Sequence, residues 1–179
     1  ACSMIKRELY MSRIRPFIGS EVIKVMTGIR RSGKSVMLEL IKEELLESGV
    51  SAQQFISINF EDMRNASLCK AEALHEEILA RAAGQKGKVY LFFDEIQEVK
   101  DWEKCVNSLR VALDCDIYIT GSNAKLLSGE LATYLGGRYV EFIIYPFSFG
   151  EFLELYRVSA PQESIPQCFQ KYLLFGGMP

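Results

Sequence analysis

Apolar positions along the chain fall into two kinds of run, and the two kinds alternate. Short stretches rich in β-branched and aromatic residues read as strands: "EVIKVMTG" (21–28), "QFISINF" (54–60), "KVYLFFDE" (88–95), "DIYITGS" (116–122) and "YVEFIIYP" (139–146). Between them, apolar residues recur every three or four positions, which predicts helices over "KSVMLELIKEELLESG" (34–49), "SLCKAEALHEEILARAAG" (67–84) and "DWEKCVNSLRVAL" (101–113). Gly49 is placed to close the first of these, and Asp101 to cap the last. Two further helices are expected near 148–157 and 162–174. The run "KVYLFFDE" is apolar almost throughout, as a strand covered on both faces should be.

Five strands separated by helices imply a mostly parallel sheet between helical layers, a three-layer α/β/α sandwich. Right-handed crossovers bring all the strand C-terminal ends to one edge, where ligands bind in open sheets of this kind. The 179 residues suit one full domain. We divide them into a basic lead-in over 1–20, a core over 21–158, and the start of a helical C-terminal region over 159–179. The apolar ending "YLLFGGMP" carries the expectation that this region continues into a further domain in cis.

Composition narrows the class without choosing a chemistry. Apolar residues are 49% and charged residues 25%, ordinary for a soluble protein. No apolar run has the length of a membrane span, and the N-terminus lacks a signal peptide's apolar core, so a cytoplasmic address and no membrane partner are expected. Five cysteines without a CxxC pair argue against a disulfide framework or a zinc site. The single histidine, His75, reads as a surface or half-buried helix residue rather than a ligand. Net charge is −2, yet residues 1–35 hold eight basic and two acidic side chains. That basic third could meet the phosphates of a nucleotide or of nucleic acid; the acidic remainder argues against broad nucleic-acid coating.

The stretch "TGIRRSGKS" supplies the chemistry. Gly28, Ile29, Arg30, Arg31, Ser32, Gly33, Lys34 and Ser35 fit GxxxxGK[ST] without a mismatch. Such a loop turns successive backbone N–H groups inward around a phosphate, and glycines permit that approach. The helix that follows aims its positive end at the same anion. Lys34 adds a point charge at the β- and γ-phosphates, and the Ser35 hydroxyl can ligate Mg²⁺. The alternative is a basic turn; a strand before and a helix after favour the phosphate loop. The strand "VYLFFDEIQ" ends in Asp94-Glu95. Asp94 would complete the metal shell and Glu95 would polarise an attacking water. Alone, the pair has a second reading, a strand that ends in helix-capping acids.

With these residues in view, "TGIRRSGKS", "LFFDEIQEV", "ITGSNAKLLSGE", "LGGRYVEFIIYPFSFGEF" and "FGGMP" give the chain a family likeness. It resembles the prokaryotic AAA-type ATPases that carry a C-terminal domain of unknown function 4143. The resemblance implies a core with strand order 5-1-4-3-2, the "ITGSN" strand lying between the two motif strands. It implies a sensor role for Asn123, or for Ser122, whose alternative is a helix N-cap. It implies that Arg138 reaches a nucleotide in its own subunit or in a neighbour's; a strand-edge arginine is the other reading. Asn59 could restrain Glu95, though a turn-forming asparagine suits it better. Arg30 and Arg31 depart from the small residues common in phosphate loops, and their role is left open.

The expected function is Mg²⁺-dependent ATP binding and hydrolysis, coupled to a protein or nucleic-acid partner, in a homo-oligomer. The alternatives are a nucleotide-dependent switch with negligible turnover and a small-molecule kinase. No guanine-reading NKxD motif is present, which favours ATP over GTP.

Overall fold

The computed structural model describes residues 2–28, 33–122, 126 and 135–144, with side chains from Glu8 on. In chain order it contains α1 (Cys2–Ile14), β1 (Ile23–Thr27), α2 (Lys34–Glu47), β2 (Phe55–Asn59), α3 (Ala71–Ala82), β3 (Val89–Asp94), α4 (Trp102–Ala112), β4 (Cys115–Gly121) and β5 (Tyr139–Ile143). The five strands form one sheet in the order β2-β3-β4-β1-β5. Every pairing is parallel. The molecule is a three-layer α/β sandwich with the strand order 5-1-4-3-2 that the resemblance implies.

Strand alternation divides the core in two. Val25, Ile58, Leu91 and Ile119 point to the face covered by Leu74 and Ile78 of α3 and by Val106 and Leu109 of α4. Met26, Phe92 and Tyr118 point to the other face, against Tyr10, Met11 and Ile14 of α1 and Met37, Leu38 and Ile41 of α2. The lead-in expected over 1–20 therefore includes a packed helix. Met11 and Ile14 are fully buried, each contributing about 1.5–3 kcal/mol through removal from water.

Two local expectations need correction. The helix expected over 67–84 is interrupted: a 3-10 turn spans Met63–Leu68, and α3 begins only at Ala71. Lys70 is extended between them and forms a parallel bridge with Lys100. Lys100 N–H donates to the Cys69 carbonyl, and Ala71 N–H to the Lys100 carbonyl. A tertiary pairing has displaced the local helical tendency. Asp101 does stand before α4, but its backbone is left-handed (φ 58°) and its side chain makes no capping hydrogen bond. Gly49 closes α2 as expected, at φ +101°, with the Val50 N–H returning to the Leu45 carbonyl. The helices expected near 148–157 and 162–174 lie outside the described residues.

At the N-terminal edge of the sheet a polar group is buried within this apolar frame. The Lys24 ammonium pairs with Asp116 and donates to the Ser20 carbonyl (2.9 Å). Asp116 also accepts from the Gly19 N–H (2.8 Å) and the Tyr118 hydroxyl (2.6 Å). Both Lys24 and Asp116 are wholly buried. Burial pushes the Lys24 ammonium below the usual lysine range, against the upward pull of Asp116.

Candidate functional site

At the other edge, the C-terminal ends of β1, β3 and β4 converge on the start of α2. Gly33 precedes α2 with φ 91°, a conformation that a side chain would strain, and it supplies no side-chain cap. No side-chain cap covers the first turn of α2, the positive end of a 14-residue helix. Lys34 is almost fully buried; its ammonium donates to the Gly28 carbonyl (3.0 Å) and lies 3.7 Å from Glu95 Oε1. The Ser35 hydroxyl donates to Asp94 Oδ2 at 2.7 Å. Four expected site residues, Lys34, Ser35, Asp94 and Glu95, thus come together from two distant segments, with Gly28 and Gly33 framing them. A cavity of about 320 Å³ opens beside them, lined by Ser35, Glu39, Ser57, Asn59 and Asp94 among others.

The strand between β1 and β3 contributes a residue that sequence reasoning missed. Thr120 of β4 is fully buried, its hydroxyl 2.5 Å from Asp94 Oδ1 and 2.9 Å from the Glu95 N–H. It donates to the first and accepts from the second. Asp94 is held at both carboxylate oxygens, one by Thr120 and the other by Ser35. Glu95 sits with a left-handed backbone, φ 58°, at the end of β3. Its Oε2 accepts from the Gln97 amide at 2.5 Å. The signal that could have exposed Thr120 is its position: a hydroxyl in the otherwise apolar run "YITG", next to the strand that ends in the acid pair.

The remaining expected residues divide into three groups. Ile29, Arg30, Arg31, Ser32 and Asn123 lie outside the described residues. Ser122 follows β4, and its carbonyl accepts the Leu126 N–H (3.0 Å). Asn59 has the turn-forming role: its Oδ1 accepts the Glu61 N–H (3.0 Å). Arg138 stands immediately before β5, its carbonyl accepting the Ile23 N–H at the very start of β1. That places it, exposed, at the opposite edge of the sheet from Lys34. It lines a separate cavity of about 560 Å³ with Lys88, Arg110 and Glu21. Within one chain, Arg138 is not brought to the other site residues.

Hard oxygen donors, one hydroxyl and one carboxylate 2.7 Å apart, suit a Mg²⁺ ion that keeps most of its water. A lysine at an uncapped helix start suits a polyphosphate.

The AAA domain family matches residues 20–153. An uncharacterised protein of Haemophilus influenzae is 42% identical over 99% of this chain and 44% of its own length. The chain spans less than half the length of the curated relatives it matches. Among solved structures, AMPPCP-bound DnaA from Aquifex aeolicus superposes with a TM-score of 0.56 at 16% identity, over 87% of this chain and 51% of that one. The Orc1 protein of Aeropyrum pernix in complex with DNA gives 0.55 at 17% identity, over 89% and 49%. At such identities the likeness establishes the fold.

Proposed function

The chain belongs to the AAA domain family, and from that membership we propose that it binds ATP with Mg²⁺ and hydrolyses it. The observation that carries this reading is the convergence of Lys34 with Glu95 at 3.7 Å and of Ser35 with Asp94 at 2.7 Å. The first turn of α2 and the Lys34 ammonium hold the β- and γ-phosphates. Ser35 and Asp94 hold the metal, which neutralises phosphate charge when bound. Glu95 accepts the proton of the attacking water: a bond forms from the water oxygen to the γ-phosphorus as the bond to the bridging oxygen of ADP breaks. Support for the ligand comes from the similar DnaA structure, which is AMPPCP-bound.

Arg138 is proposed to act on the nucleotide of a neighbouring copy, because its own site lies at the far edge of the sheet. Asn123, following β4, is proposed to contact the γ-phosphate or the water. A C-terminal domain in cis, of the kind the resemblance implies, is the proposed recipient of the ATP cycle. Nucleic acid is the alternative recipient, with the DNA complex of the similar Orc1 as its support.

Lys34→Ala is expected to abolish nucleotide binding. Glu95→Gln is expected to keep binding and lose about 10²–10⁴-fold in kcat, the usual worth of general-base catalysis. Titration calorimetry with AMPPCP and a phosphate-release assay measure the two effects. Unchanged affinity in Lys34→Ala would overturn the site, and parental turnover in Glu95→Gln would overturn the assignment of the base.

A further inference from the structure

The side chain two residues past the acid pair has a role that the ATPase reading leaves unassigned. Gln97 lies in a short 3-10 turn, Ile96–Glu98, anchored on both sides by the fully buried Ile96 and Val99. The turn bends the chain back, so that the Gln97 Nε2 group donates to Glu95 Oε2 at 2.5 Å. At its other end, the side-chain Oε1 of Gln97 is buried and has no hydrogen-bond partner among the described residues. That oxygen lies against the end of β4, where a Cβ on Gly121 would come within 2.5 Å of it. Here the donor is committed to the candidate base, and the acceptor faces the strand end that borders the site.

We propose that Gln97 is a positioning residue for ATP hydrolysis: its amide fixes the Glu95 carboxylate so that Oε1 takes the proton of the attacking water. The groups facing Glu95 make the choice of oxygen. Thr120 holds its backbone N–H from β4, Gln97 occupies Oε2 from the 3-10 turn, and Lys34 faces Oε1 from α2. Lys34 is also the group a polyphosphate attracts. Phosphate binding draws the ammonium towards the anion and leaves Oε1 as the oxygen open to water. Oε2 stays bonded, so the carboxylate cannot rotate away.

This inference rests on the ATPase reading, and its test separates the two. Gln97→Met keeps the approximate shape and removes the donor; Gln97→Asn keeps the amide but falls one methylene short. In both, kcat for ATP is expected to fall about 10–100-fold, with AMPPCP affinity and melting temperature near the parent's. Either variant suffices if the other fails to fold. A structural role would not produce the second expected result: in a Glu95→Gln background, Gln97→Met adds no further loss, because the group it positions is already gone. Parental kcat in either folded variant, a change confined to KM, or a full additional loss in the double variant would overturn the proposal. A parent that fails to turn over ATP overturns the hydrolysis reading and this inference with it. A parent that turns over, a dead Glu95→Gln and a fully active Gln97→Met overturn this inference alone.

Discussion

A single hydroxyl, that of Thr120, holds two consecutive acidic residues by different atoms: the side chain of Asp94 and the backbone of Glu95. Thr120→Val preserves the shape and removes both contacts, leaving a part-buried N–H without its acceptor. The cost should be about 1–3 kcal/mol. We expect a lower melting temperature together with at least a tenfold loss in kcat, both largely restored in Thr120→Ser; calorimetry and phosphate release read them out. The sequence marks Thr120 only as a hydroxyl in an apolar run and does not reveal its partners. Threonine is an ordinary strand former, and its partners lie 25 and 26 residues upstream. The polar residues that the sequence does offer at that strand end are Ser122 and Asn123. The phosphate loop and the acid pair were legible because each is a local pattern whose spacing is the chemistry. Glu95 adds a cost hidden from any pattern, since a left-handed backbone suits glycine or asparagine better than glutamate.

Among elements, periodicity located five strands and three of the helices, because one buried face imposes a repeat of two or of about 3.6 on the sequence. It failed where a contact from elsewhere decided the local geometry. Lys70 leaves the helical pattern to pair with Lys100, and Asp101 takes a left-handed backbone instead of capping. Lys24 is the extreme case. It breaks the apolar pattern of β1, yet it is buried because Asp116, 92 residues away, meets it. The pair ties the N-terminal ends of β1 and β4 to the turn at Gly19 and Ser20. Lys24→Met leaves Asp116 buried without its counter-ion, which should cost about 3–5 kcal/mol. That corresponds to a drop of roughly 6–20 °C in melting temperature for a domain of this size. The double variant Lys24→Met/Asp116→Asn should lose much less than the two single losses combined. A double-variant loss equal to the sum of the two single losses in a thermal melt would show that the pair is not coupled.

For the molecule as a whole, the parallel sheet sets a direction. Lys34, Ser35, Asp94 and Glu95 gather where the strands end, and Arg138 stands where they begin. A five-residue strand separates these edges by about 16 Å at roughly 3.3 Å per residue. If Arg138 serves a neighbour's nucleotide, chains of Arg138→Ala mixed with chains of Lys34→Ala should recover part of the ATPase activity that each lacks alone. The specific rate should also rise with protein concentration. No recovery and a concentration-independent rate would make Arg138 a structural residue. The opposed edges carry a further consequence. A contact joining one edge of a copy to the other edge of the next is heterologous, so copies add in a row. An open row always leaves one terminal site without its arginine and one terminal arginine without a site. Only closure into a ring completes every site, and a copy that lacks Arg138 then silences its neighbour's site while keeping its own.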